Sequence, residues 1–218
     1  PEKAPEAASA ETYVTGAWLL CIGPSPDHKA TVANCTEALQ DEKIIGVERA
    51  FALYSRGIGF YGLENYEGAI ADYTESLKLN PIAVPAYNNR GVAFRRLGKF
   101  EAAIADFDAA LARKPDDGAA FANRAISKDE MGRTQEAIDD VSKAIAIAPE
   151  VGAYWQERGS YRTRLKLWDD AIGDFERALE LRPGFIKARY NQGVALRRMG
   201  RFEEAATVFT DVASVDSE

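Results

Sequence analysis

The sequence predicts an all-α chain, a linear array of antiparallel helix pairs stacked side by side. Three observations carry that reading. The window YNNRG at 87–91 returns on a period of 34 residues as FANRA, WQERG and RYNQG, and stands 34 residues upstream as LYSRG. Apolar residues recur at helical spacing on both sides of short Gly-containing turns, such as Leu97-Gly98-Lys99-Phe100, Met131-Gly132 and Met199-Gly200-Arg201-Phe202. Proline closes each repeat but the last at one fixed offset, where a helix rarely continues. No strand is expected.

The slots agree in nearly every copy. The small anchors are Gly57, Gly91, Ala125, Gly159 and Gly193, and twelve residues later stand Ala69, Ala103, Ala137, Ala171 and Ala205. Sixteen residues after the anchors come Tyr73, Phe107, Val141, Phe175 and Phe209. A small residue follows at nineteen (Ser76, Ala110, Ala144, Ala178; Val212 is the exception), and Pro81, Pro115, Pro149 and Pro183 at twenty-four. Small residues at these points let paired helices approach closely. The glycines of GIGFYG (57–62) lie inside a predicted helix and read as close-packing sites rather than a phosphate loop.

Upstream, residues 1–10 are Pro-, Ala- and Glu-rich without apolar period and read as a flexible lead-in. Residues 11–47 read as an irregular helical hairpin. GAWLLCIG (16–23) is one helix end, PSPDH a turn, and 29–44 the second arm, with an apolar stripe through Val32, Cys35, Leu39 and Ile44. Residues 48–218 hold five units, about 50–83, 84–117, 118–151, 152–185 and 186–218.

The slots resemble the tetratricopeptide repeat. The resemblance covers about 50–218 and implies a right-handed α-solenoid, a superhelix of antiparallel helix pairs A and B with a concave groove lined by the A helices. The order W-x-x-C…D…C-T upstream is similar to the N-terminal segment of exported bacterial proteins with this repeat. That similarity implies a disulfide between Cys21 and Cys35; the alternative is two buried thiols. A bridge would add about 3 kcal/mol by constraining the unfolded chain and would place the protein in an oxidising compartment, the periplasm or an equivalent, rather than the cytoplasm. A first residue of Pro fits a mature chain after removal of a signal peptide and a trimmed chain equally.

Composition limits the function classes. The chain is 46% hydrophobic and 28% charged, with a net charge of −7 and a pI of about 5.0. Such an acidic chain is poorly suited to general nucleic-acid binding. No apolar run is long enough to insert into a membrane. The single histidine, His28, sits in the PSPDH turn, so no Ser/His/Asp set can be assembled around it. Two cysteines and one histidine do not make a zinc site. The acidic pairs Asp116-Asp117, Asp139-Asp140 and Asp169-Asp170 read as caps and solvated charge. The expectation is a non-enzymatic chain with no cofactor, no metal and no catalytic residues.

The recurring polar pair splits into two signals. Before each anchor stands Arg56, Arg90, Arg124, Arg158 and then Gln192; sixteen residues on stand Asp72, Asp106, Asp140, Asp174 and then Val208. The four repeats with Arg have Asp, and the one without Arg lacks Asp. We read four Arg–Asp pairs joining helix A to helix B, with the guanidinium fork suited to a carboxylate. The residue one step earlier is Ser55, Asn89, Asn123, Glu157 or Asn191, and nothing elsewhere in the repeat varies with it. The resemblance places this slot on the groove, where an Asn amide can donate and accept along a peptide backbone. Asn89, Asn123 and Asn191 therefore form a candidate peptide-binding ladder; the alternative is a row of solvated polar residues.

Arg95-Arg96, Asp129-Glu130, Thr163-Arg164 and Arg197-Arg198 end the A helices, and Lys187 begins the last. If they face the groove, basic patches containing Arg96, Arg164 and Arg198 flank an acidic one. Tyr54 and Ile58 occupy first-repeat positions where the family's clamp for a terminal carboxylate needs Lys and Asn, so that clamp is not expected. Tyr54 and Tyr61 are candidate aromatic contacts, whereas Trp155 and Trp168 read as core. The last repeat ends FTDVASVDSE with no capping helix, so Phe209, Val212 and Val215 point to a self-association surface or a natural continuation. The function expected is a protein or peptide interaction module with an adaptor or assembly role. The alternative is an accessory domain of a larger enzyme or secretion machine.

Overall fold

The structure, a computed structural model, describes residues 16–23 and 27–215. The lead-in at 1–10, part of the PSPDH turn and the side chain of Val215 lie outside the described residues. Among the described residues there are twelve α-helices and no strand. The chain divides into two compact units, Pro1–Pro81 and Ile82–Glu218.

The first unit holds α1 (Gly16–Ile22), α2 (His28–Ala38), α3 (Gly46–Gly62) and α4 (Tyr66–Leu79), each packed on the next. A disulfide joins Cys21 of α1 to Cys35 of α2, and both residues are fully buried among Ala38, Ile44 and Ala52. Asp27 caps α2 by accepting from the Lys29 N–H at 2.9 Å, so His28 is the first helical residue rather than part of a turn. α2 stops at Ala38, short of the stripe that runs to Ile44. Asp41 captures the Lys43 N–H at 2.9 Å and turns the chain, and Ile44 is buried through that turn instead of through a helix.

The second unit holds four pairs: α5 (Val84–Arg96) with α6 (Phe100–Arg113), α7 (Gly118–Glu130) with α8 (Thr134–Ile147), α9 (Gly152–Arg164) with α10 (Trp168–Leu181), and α11 (Ile186–Arg198) with α12 (Phe202–Val215). Each pair also packs on the following one through its second helix.

The anchors show why the pairs close. A Cβ added to Gly57, Gly91, Gly159 or Gly193 would lie 2.6 to 2.8 Å from a ring carbon of Tyr73, Phe107, Phe175 or Phe209 respectively. Helix A therefore rests its bare backbone on the aromatic face of helix B. In the one repeat whose anchor is Ala125, the facing residue is Val141, so the added methyl is matched by a smaller partner in the same cluster. Tyr73, Phe107 and Phe175 are at most 1% exposed, and each such burial stabilises by about 2 to 3 kcal/mol.

The A-to-B turn is also common to all repeats. The residue after each A helix's last turn is left-handed: Glu64 (φ 60°), Gly98 (71°), Gly132 (77°), Lys166 (62°) and Gly200 (82°). The next N–H reaches back to close the helix end, as Lys99 does to Phe94 O at 2.9 Å. Two repeats hold this turn without glycine, at a cost of about 1 kcal/mol each.

Candidate functional site

The four Arg–Asp positions are bidentate staples between the helices of one pair. Arg56 donates to Asp72 through Nε and Nη2, both at 2.7 Å. The corresponding distances are 2.8 and 2.7 Å for Arg90–Asp106, 2.8 and 2.6 Å for Arg124–Asp140, and 3.0 and 2.7 Å for Arg158–Asp174. The aspartates are 2% to 5% exposed. The third nitrogen reaches the preceding helix pair: Arg124 Nη1 donates to Asp108, and Arg158 Nη1 to Ser142 Oγ at 3.2 Å. Two aspartates hold a second cation one helical turn on, Lys128 Nζ at 2.7 Å from Asp140 and Arg162 Nη1 at 2.6 Å from Asp174.

At Asp140 the second cation adds to the first against burial. Burial alone would push the Asp140 carboxyl up, but hydrogen bonds from Arg124 and Lys128 carry it below its ordinary value. Asp106 has Arg90, and there burial outweighs the partner and leaves the carboxyl raised. Hydrogen bonding to Asp106 raises Arg90 in turn, so the guanidinium stays charged.

The staples leave the A helices of the second unit to form the other layer. α5 packs on α7 and α9 on α11 in addition to their own partners, which draws the A helices together as the inner face. Between α7, α9 and α11 lies an open cavity of about 460 Å³. Its floor includes Gln156 and Tyr161, and its walls include Asp129, Glu157, Lys187 and Asn191. Asp129 is 6% exposed; it accepts from Thr134 Oγ1 at 2.9 Å and pairs with Arg164 at 2.6 Å.

Glu157 differs from every other acid on this face. Its Oε2 is buried and accepts no hydrogen bond, and Arg95 Nε and Asn88 Oδ1 are likewise buried without a partner. Burial pushes the Glu157 carboxyl up to about 7, against the opposing pull of Lys187 and Arg95. From about pH 4.5 to about 7 the folded chain keeps a proton that the unfolded chain has released, so the site costs stability as pH rises through that window.

A family model for the tetratricopeptide repeat matches residues 54–118, 122–184 and 157–216. This chain is a tetratricopeptide repeat protein. Solved structures similar to this tetratricopeptide repeat protein include the MamA protein, at 23% identity and a TM-score of 0.69, covering 77% of this chain and 91% of that one. YrrB, described as "a TPR protein with an unusual peptide-binding site", is 20% identical with a TM-score of 0.66, covering 84% and 93%. The first TPR of Spaghetti (RPAP3), solved bound to the HSP90 peptide SRMEEVD, is 23% identical with a TM-score of 0.54, covering 56% and 97%. At these identities the likeness is one of fold. No curated protein matches.

The positions singled out from the repeat fall unevenly on this face. Asn191 and Arg164 line the cavity; Asn191 Nδ2 donates to Ser160 Oγ at 3.1 Å, and Arg164 is taken by Asp129. Asn89 and Asn123 are half-buried on α5 and α7 outside the cavity lining. Arg96 and Arg198 are exposed at helix ends. Tyr54 belongs to the first unit, where it meets Phe51 and Tyr73 ring to ring at 6.2 and 5.8 Å and lines a separate cavity with Ile58. Trp155 and Trp168 are half-buried against the core. The isolation of Glu157 is new in the structure, although its signal was a carboxylate in a slot otherwise filled by Ser or Asn.

Proposed function

We propose that the inner face of α5, α7, α9 and α11 binds an extended segment of a partner protein and that the chain serves as an adaptor or assembly module. The observation that carries this reading is the set of unpartnered buried atoms on that face: Asn88 Oδ1, Arg95 Nε and Glu157 Oε2. Buried polar atoms in native proteins are almost always paired, and these three find no partner within the chain. The peptide site named for YrrB and the peptide bound to the RPAP3 repeat support the same use of this fold. Asn89, Asn123 and Asn191 are the ladder that would hold the segment's backbone. Random-peptide display on the immobilised protein tests this. Retained peptides should bind Asn89→Ala/Asn123→Ala/Asn191→Ala at least about tenfold more weakly, since each amide contributes about 1 kcal/mol. Equal affinity for the variant rejects the ladder.

The buried disulfide supports an exported location, because such bonds persist in oxidising compartments such as the periplasm. No described helix is long and apolar enough to cross a membrane. The last repeat supports self-association, with Phe202 67% and Tyr190 52% exposed at one end of the unit. Sedimentation velocity over a concentration series should show a dimer that Phe202→Glu abolishes. A monomer at every concentration removes this part of the reading.

A further inference from the structure

We propose that the cavity between α7, α9 and α11 takes a Lys or Arg side chain of the bound segment, with the Glu157 carboxylate as its anionic partner. This rests on the reading that the inner face binds an extended segment, and adds which side chain it selects. Three features point to a cation. The cavity lining carries three carboxylates, Asp129, Glu130 and Glu157, against two cations, Arg164 and Lys187. Arg164 is already committed to Asp129 at 2.6 Å. Among the carboxylates of the lining, Glu157 alone has a buried oxygen with no hydrogen-bond partner.

The charged groups around Glu157 leave its Oε2 without a hydrogen bond. From α5 comes Arg95, from α7 Asp129 and Glu130, and from α11 the exposed Lys187; Tyr161 lies one turn along α9 itself. Arg95 and Lys187 act on Glu157 through space, and neither donates a hydrogen bond to Oε2. An apolar side chain would leave the carboxylate unpaired, and an acidic one would be repelled by it. An ammonium or guanidinium entering the cavity would pair with the Glu157 carboxylate and gain a charge-assisted bond away from water. The carboxyl must be ionised to do so, and burial holds it half-titrated near neutral pH. Capture of a basic side chain should therefore strengthen as pH rises from 6 to 8.

The test uses the full chain and a random decapeptide display library, with no assumed partner. The expected result is a retained set with Lys or Arg fixed at one position. Replacing that residue by norleucine should weaken binding at least about tenfold at pH 8, and less at pH 6. Glu157→Gln should erase the difference between the Lys and norleucine peptides. Removing an unpaired buried charge leaves the chain folded, and Glu157→Gln should flatten the fall in stability between about pH 4.5 and 7 that the wild type shows. A retained set with no basic preference, whose binding still depends on the three asparagines, overturns this inference and leaves the groove reading standing. A library from which the wild type retains nothing overturns both. A basic preference that survives Glu157→Gln also overturns the assignment.

Discussion

Asp140→Ala should destabilise the second unit by about 3 to 5 kcal/mol, the cost of stranding buried charges. Asp140 is 2% exposed and takes hydrogen bonds from Arg124 at 2.6 and 2.8 Å and an ion pair from Lys128 at 2.7 Å. Both cations are themselves mostly buried, at 14% and 12% exposure. Removing the aspartate leaves Arg124 with only Asp108 and Lys128 with only Glu136 at 3.8 Å. The damage also spreads, because Arg124 ties α7 to α6 as well as to α8. Urea denaturation followed by circular dichroism measures the loss. A change below about 1 kcal/mol, the value of an exposed pair, would reduce the staple to surface decoration.

The same physics makes the simpler staple a clean double-mutant cycle. Arg90→Gln and Asp106→Val import the pair that the fifth repeat carries naturally as Gln192 and Val208. Each single change strands one charge, whereas the double change strands none and should cost less than the two singles summed. Val208 packs against the core in its own repeat, so the apolar replacement is compatible with the fold. Zero coupling would show that Arg90 and Asp106 act independently.

Loss of the disulfide is the second large effect. Cys21 and Cys35 are fourteen residues apart, and a closed loop of that size constrains the unfolded chain by about 3 kcal/mol. The oxidised protein should unfold at higher urea than the same protein reduced, or than Cys21→Ala/Cys35→Ala. The effect belongs to the first unit, where the bond ties α1 to α2 and where Leu19 and Leu20 of α1 are 56% and 61% exposed. Both cysteines are buried, so a reductant should open the bond slowly under native conditions and quickly in urea. Coincident unfolding curves for oxidised and reduced protein would count against any stabilising role.

Much of the fold is legible in the sequence because it contains its own controls. Five copies on one period expose which positions vary together, and the joint absence of Arg and Asp from the fifth separates framework from neighbouring polar residues. The large apolar residue at each anchor's sixteenth successor is legible in the same way, whereas the match of Ala125 with Val141 emerges from the packing. The N-terminal hairpin has no second copy, and there an apolar stripe alone overruns the helix end, because Asp41 takes a backbone N–H that a helix would have used. The second cations, Lys128 and Arg162, are hidden for a different reason. They sit in only two repeats, in a slot that holds Phe60, Phe94 and Leu196 in the others. The isolation of Glu157 depends on groups from α5, α7 and α11 together, and no window of sequence contains that neighbourhood.

The division of labour between the two adjacent slots has an evolutionary consequence. The staple fixes one position per repeat, while its neighbour carries Ser55, Asn89, Asn123, Glu157 or Asn191 and belongs to no staple. In the second unit, a change there alters what the inner face displays without touching an Arg–Asp staple. On the proposed reading, each 34-residue step of the second unit offers one position outside the staple, and single substitutions there would retune partner choice while the Arg–Asp pairs stay in place. Glu157 is such a position.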